Sequence, residues 1–274
     1  MRVALIGYGY WGKFSARAIA RVAELSWVVE KDADARHLAA LDWQGWGTRV
    51  ADDITQCAAQ VDAVWIATPT ATHRDVVSEA LGLGLHVLCE KPFVKTREEA
   101  EALVGQARES DLALMVGHLT LYMRERNRRM RDALLAESPG HSLRAVRKNT
   151  EASLSDGSVL FGIGPHEVAP LVRLAGEPDE VECVGTLHRV TATLKWPTLV
   201  AEVELDWLSE KRERVLCIDG HIQEFEETSE PLVNEMEAFV RLPEVESLRG
   251  EAYLDALQTT ATLEELERRR EQQV

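Results

Sequence analysis

The sequence is short of cysteine, of long apolar runs and of positive charge, and each shortage removes a class of protein. Only four cysteines occur, Cys57, Cys89, Cys183 and Cys217, without the spacing of a metal site or the density of a disulfide scaffold. Reduced structural thiols in a cytoplasmic protein are expected, with no metal. No stretch approaches the roughly 18 apolar residues that a membrane span needs. The basic, apolar and small-residue order of a secretory leader is also missing, and Met1 leads straight into an apolar strand. Lysine and arginine total 31 against 46 acids, a formal charge of −15. Nucleic acid would be repelled overall, but an anionic small molecule in a locally basic pocket is compatible. No internal repeat or low-complexity segment stands out.

What the chain does have is size and a glycine motif. Its 274 residues, 45% apolar and 28% charged, suit a globular protein of two domains. The run Val3-Ala4-Leu5-Ile6-Gly7-Tyr8-Gly9-Tyr10-Trp11-Gly12 delivers a G-x-G-x-x-G loop from an apolar strand into a helical pattern. In that setting Gly7 allows a tight turn, Gly9 lets backbone N–H groups approach a pyrophosphate, and Gly12 lets the helix pack closely. A dinucleotide site over residues 7–12 is the expectation, against a plain tight turn. An acid at the end of the next strand is the second element of such a site. Leu25–Val29 reads as that strand and Glu30 ends it, with Asp32 as the alternative. A carboxylate there favours NAD, because it repels the 2′-phosphate of NADP. Lys31 could reach such a phosphate, so NADP stays open, and a merely charged loop is the plainer alternative.

Strand and helix patterns alternate to about residue 118. Helical spacing covers Lys13–Arg21 and Asp34–Leu41. Ala63–Ala67 is a buried strand running into Thr68-Pro69-Thr70-Ala71-Thr72-His73 and a helix through Leu81. His86–Cys89 is a strand ending at Glu90-Lys91-Pro92. Thr96 and Glu99 form a capping box for a helix through Arg108, and Leu112–Val116 closes the series as a sixth strand. Such βα units predict a doubly wound parallel sheet with its ligands at the carboxyl ends of the strands. The glycine loop, Glu30, Thr68-Pro69 and Glu90-Lys91-Pro92 all lie at such ends.

Beyond this the pattern changes. A basic helix is expected over Tyr122–Ala136. Short β-like runs follow at Ser142–Lys148, Val181–Leu187, Val190–Leu194, Leu199–Trp207 and Arg214–Ile218, then helical patterns at Glu230–Arg241 and Glu251–Arg270. The reading is α/β: an N-terminal Rossmann domain over 1–118, then an α+β domain with a mostly antiparallel sheet over 119–274. Val203, Leu205 and Trp207 give one strand an apolar face.

The chain resembles the glucose–fructose oxidoreductase, inositol dehydrogenase and rhizopine-catabolism superfamily of NAD(P)-dependent oxidoreductases. The carriers are GYGYWG at 7–12, ATPTATH at 67–73, CEKP at 89–92, GHLTLY at 117–122, GPHE at 164–167, DWLSEKRER at 206–214 and EPLVNEMEAFV at 230–240. Several of these forms look like the branch that oxidises nucleotide-linked sugars at the 3-position. The resemblance implies cofactor contacts from Gly7, Tyr8, Gly9, Tyr10, Trp11, Gly12, Glu30, Lys31, Thr68, Pro69, His73, Glu90 and Lys91. It also implies pairing of copies, as a homodimer or homotetramer, through the open face of the second domain's sheet, and the apolar face of Val203, Leu205 and Trp207 is a further hint of association.

The chemistry implied is hydride transfer between the nicotinamide and a carbohydrate-like secondary alcohol or ketone, which also needs a group to handle the hydroxyl proton. Lys91 is placed beside the nicotinamide by the resemblance; an ion pair with Glu90 is the plainer alternative. Pro165 and the apolar run after it put His166 in a first helical turn, as a second acid/base group or a capping histidine. Tyr122 is a third catalytic or substrate-positioning group. Asn149 is a substrate contact, and Lys148, Lys211 and Arg214 are weaker ones. Relatives carry aspartates where this chain has Gly162 and Ala169, which also admits reduction of an imine C=N bond. A cofactor-binding protein without turnover is the remaining alternative.

Overall fold

The computed structural model describes residues 1–135, 140–151, 157–224 and 230–273. It divides into two units. The first takes in Met1–Val94, Glu98–Gly117 and, from much later in the chain, Leu232–Ala256; the second takes in Lys95–Arg97, His118–Pro231 and Leu257–Val274.

The first unit runs β1 (Arg2–Ile6), α1 (Tyr10–Val22), β2 (Glu24–Val29), α2 (Ala33–Asp42), β3 (Arg49–Ala51), β4 (Ala63–Ile66), α3 (His73–Gly82), β5 (His86–Glu90), α4 (Arg97–Glu109) and β6 (Leu114–Gly117). Its strands form one parallel sheet in the order β3-β2-β1-β4-β5-β6. Continuous apolar strands imply burial on both faces, and Leu5, Trp65 and Leu88 have no exposed surface. The order reverses direction between β1 and β4, so the loops after these two strands border the crevice where open α/β sheets take ligands. Strand β3 went unlocated in the sequence because only Ala51 of its three residues is buried, leaving no apolar run to read.

The second unit begins with a 3₁₀ turn, Leu119–Tyr122, and α5 (Arg124–Leu134). The basic helix therefore starts two residues later than its charge pattern implied, and Ala136 lies outside the described residues. There follow β7 (His141–Lys148), α6 (Val159–Gly162), α7 (Pro165–Ala175), β8 (Glu180–Gly185), β9 (Arg189–Trp196), β10 (Leu199–Asp206), β11 (Glu213–Ile218) and β12 (His221–Ile222). The sheet order is β12-β11-β7-β10-β9-β8, antiparallel except for the parallel pair β7–β10. Two helices complete the chain, α8 (Pro231–Arg241) and α9 (Glu246–Glu271). The latter starts five residues before the periodic pattern that announced it.

Strand β10 alternates as its sequence requires, but its apolar face has a different use from the one expected. Ala201, Val203 and Leu205 are fully buried and, with Trp207, belong to the core of their own unit. The opposite face is a ladder of ion pairs: Arg144 meets Glu202 at 3.1 Å and Glu204 at 2.6 Å, and Lys148 meets Glu204 at 2.9 Å. The apolar residues that hint at association between copies are thus spent inside one copy.

Candidate cofactor and substrate sites

The glycine loop is built as its residue types demand. Gly7 has φ +95°, and a Cβ there would lie 2.8 Å from the carbonyl oxygen of Ala67, so the loops after β1 and β4 touch. A Cβ on Gly12 would overlap the Gly7 carbonyl, so the first turn of α1 can rest directly on the glycine turn. At Gly9 a Cβ would meet nothing within 4 Å. Helix α1 begins there with no side-chain cap and no acid in its first turn. Its N-terminal N–H groups and the positive end of its dipole suit an anion.

Glu30 follows β2 and turns back to this loop. Its Oε2 accepts from the Tyr8 backbone N–H at 2.6 Å and its Oε1 from the Asp32 N–H at 2.9 Å. Asp32, the alternative ribose partner, instead caps α2 by accepting from the N–H groups of Asp34 and Ala35. Arg36, one turn into α2, donates to the carbonyls of Glu30 (2.8 Å) and Lys31 (3.1 Å), adding a guanidinium that no motif announced. Lys31 is exposed. Tyr8 faces inward: its hydroxyl donates to Asp42 at 2.9 Å and accepts from Trp43, and burial pushes the phenol up to about 12. Only its backbone belongs to the loop. Tyr10 is 81% exposed and edge-on to Phe14.

The loops after β4 and β5 are tied together by His73. It is buried, with Nε2 2.9 Å from the Thr68 carbonyl and Nδ1 2.9 Å from that of Pro92. Thr68 and Pro69 are left at the surface of that bracket, Thr68 partly buried and Pro69 exposed. Glu90 ends β5 almost fully buried, and its Oε1 accepts from the indole N–H groups of Trp11 and Trp65. Trp11 therefore links the glycine motif directly to the Glu90-Lys91-Pro92 motif. Burial raises the Glu90 carboxyl to about 7, against the pull of the two indoles and of the Lys91 charge. Glu235 of α8, which no motif singled out, is buried as well. Its own burial and the Glu90 charge hold it well above the usual carboxylate range. Two buried carboxyls that feel one another's charge in a dry region favour sharing a proton. Lys91 is partly buried at the end of β5.

In the second unit α7 opens at Pro165 with His166, partly exposed, in its first turn. The next residue, Glu167, is buried between two guanidinium groups: Arg126 Nη2 and Arg147 Nε each donate to it at 2.6 Å. Arg214 donates to Asn149 Oδ1 at 2.6 Å and to the Lys148 carbonyl. The Lys148 ammonium is occupied by Glu204 and by Glu213, at 3.1 Å, and Lys211 is exposed. Tyr122 ends the 3₁₀ turn, partly buried; Asn127 fixes that turn by donating to the carbonyls of Thr120 and Leu121. His166, Arg126, Arg147, Glu167 and Arg214 all line one cavity of about 530 Å³.

The missing aspartate at position 162 has a packing explanation. A Cβ at Gly162 would overlap the indole of Trp207, and Ala169 is buried in α7. No cluster of three or more potential metal ligands occurs among the described residues, and no described helix is long and apolar enough to cross a membrane.

Residues 1–118 match the model of an oxidoreductase family with an NAD-binding Rossmann fold. UDP-N-acetylglucosamine 3-dehydrogenase from Acidithiobacillus ferrooxidans is 39% identical over 119 residues, 43% of this chain and 37% of that protein. Inositol 2-dehydrogenase from Leifsonia xyli subsp. xyli is 33% identical over 214 residues, 73% of this chain and 62% of that protein. The aligned part thus spans less than two thirds of either relative. A solved structure of the Acidithiobacillus enzyme superposes with a TM-score of 0.80 at 26% identity, covering 97% of this chain and 98% of that one. Both relatives are named as dehydrogenases, and neither name favours the imine reading.

Proposed function

We propose that this chain, whose residues 1–118 match the oxidoreductase family with an NAD-binding Rossmann fold, transfers a hydride between NAD(P) and a carbohydrate-like secondary alcohol or ketone. The observation that carries this reading is the junction of two motifs. The uncapped N-terminus of α1 and the open flank of Gly9 suit a pyrophosphate, and the Trp11 indole on the same helix holds Glu90, the residue before Lys91. Residues 1–118 would carry the cofactor, and the remainder the groups that recognise the substrate.

When bound, the nicotinamide supplies the hydride acceptor or donor at its C4. Gly7–Gly12 would hold the diphosphate, and Glu30, already oriented by the Tyr8 amide, the adenosine ribose. Its carboxylate disfavours a 2′-phosphate, which supports NAD over NADP. Thr68, Pro69 and the His73 bracket would shape the nicotinamide end. Lys91 takes or returns the proton of the reacting hydroxyl, and His166 is the second proton-handling group. Tyr122 and Asn149 orient the substrate. The family's named members include enzymes of a nucleotide sugar and of inositol, which supports a polyhydroxylated substrate. Four unpaired thiols, three of them buried, suit the reducing cytoplasm.

The test is Lys91→Met. Turnover on a panel of nucleotide sugars and cyclitols should fall by about 10²-fold or more, with NADH affinity kept within a few fold. Substantial residual turnover would reject the assigned role.

A further inference from the structure

Among the described residues, the cavity beside His166 contains more positive charge than its buried carboxylate balances. One buried carboxylate, Glu167, serves two guanidinium groups, those of Arg126 and Arg147. A third, Arg214, lines the same cavity, and among the described residues Glu224 is the one other acid lining it, an exposed one. Arg126 is only 4% exposed, yet its Nη1 has no hydrogen-bond partner among the described residues. A buried guanidinium N–H without an acceptor is costly, and a network serving only to pin α5, β7 and α7 together would need no surplus cation. Arg214 feels the crowding, drawn down to about 10 by partial burial and by the Arg147 charge.

We infer that Arg126, Arg147 and Arg214 form a recognition site for an oxyanion, a carboxylate or phosphate group carried by the substrate, beside His166. Planar guanidinium groups match both anions with paired N–H donors. The whole chain is acidic, so the site is a local basic pocket in a repelling field, and a ligand with no anion forgoes its strongest contacts. This inference rests on the oxidoreductase reading for what the anchored molecule is, and on the second unit alone for the anchoring.

Calorimetric titration of the full chain at low salt, with sodium D-glucuronate, inorganic phosphate, UDP and D-glucose, tests it. At least one of the three anions should bind about tenfold more tightly than D-glucose. Preference for glucuronate would identify a sugar acid, and preference for UDP or phosphate a phosphorylated sugar. Arg126→Gln and Arg147→Gln should each weaken that anion about tenfold, and Arg214→Gln, at the more open edge, gives the same readout if the buried variants do not fold. NADH titrated in parallel should be unaffected. Equal binding of all four probes, binding of none, or wild-type anion affinity in a folded variant would overturn the inference. Loss of NADH binding with anion binding intact would instead sink the cofactor reading and leave the anion site standing.

Discussion

Trp207 occupies the volume that any side chain at position 162 would need, so the glycine there is a packing requirement of this chain's second sheet. Gly162→Ala should lose about 1–3 kcal/mol to overpacking. In a Trp207→Leu background, itself destabilised by the lost indole, the same substitution should cost much less, a coupling read from a double-mutant cycle of urea unfolding. A single variant as stable as wild type would show that the indole has room to move. At this scale the sequence was legible where a residue's role is local. Gly7, Gly12 and Pro165 act through their own backbone geometry, and their places in turn, packing and helix start could be read directly. Roles created by a meeting between distant segments could not. The Trp11 indole reaching Glu90, Arg126 and Arg147 closing on Glu167, and Asp32 turning into a helix cap all depend on where the chain returns to. No spacing rule encodes that.

Among the elements, the end of β5 and helix α8 make the least obvious pairing, because they bring Glu90 and Glu235 together from opposite ends of the sequence. In the folded state the pair keeps protons to a higher pH than the unfolded chain, whose carboxyls release theirs near the ordinary value of 4.5. Their stabilising contribution is therefore complete below that pH, and the Glu90 share is lost as pH rises through about 7. Glu235→Gln removes one of the two ionisations. Its melting temperature should exceed that of wild type by roughly 2–4 °C at pH 8, about 1 kcal/mol for a chain of this size, and come close to it at pH 4. A pH-independent difference would contradict the shared-proton account. Elements with a strong apolar period, β1, β4, β5 and β10, were legible to within a residue or two. Strand β3 was not, because an edge strand with one buried residue carries no period.

For the molecule as a whole, the parallel sheet order, with its reversal between β1 and β4, gives the glycine loop its meaning. Alternating βα patterns predicted such a sheet, and the sheet is there. Assembly was less legible. An apolar strand face reads the same in a sequence whether it meets a neighbouring molecule or the chain's own core, and here it meets the core. A formal charge of −15 likewise concealed the arginines around Glu167, since net charge averages over the surface. The most direct measurement is titration of the full chain with NADH and NADPH, followed by fluorescence and heat. The account predicts saturable binding of one molecule per chain, tighter for NADH, and its loss when Gly12→Val forces α1 away from the glycine turn. No signal with either nucleotide from the folded protein would contradict it.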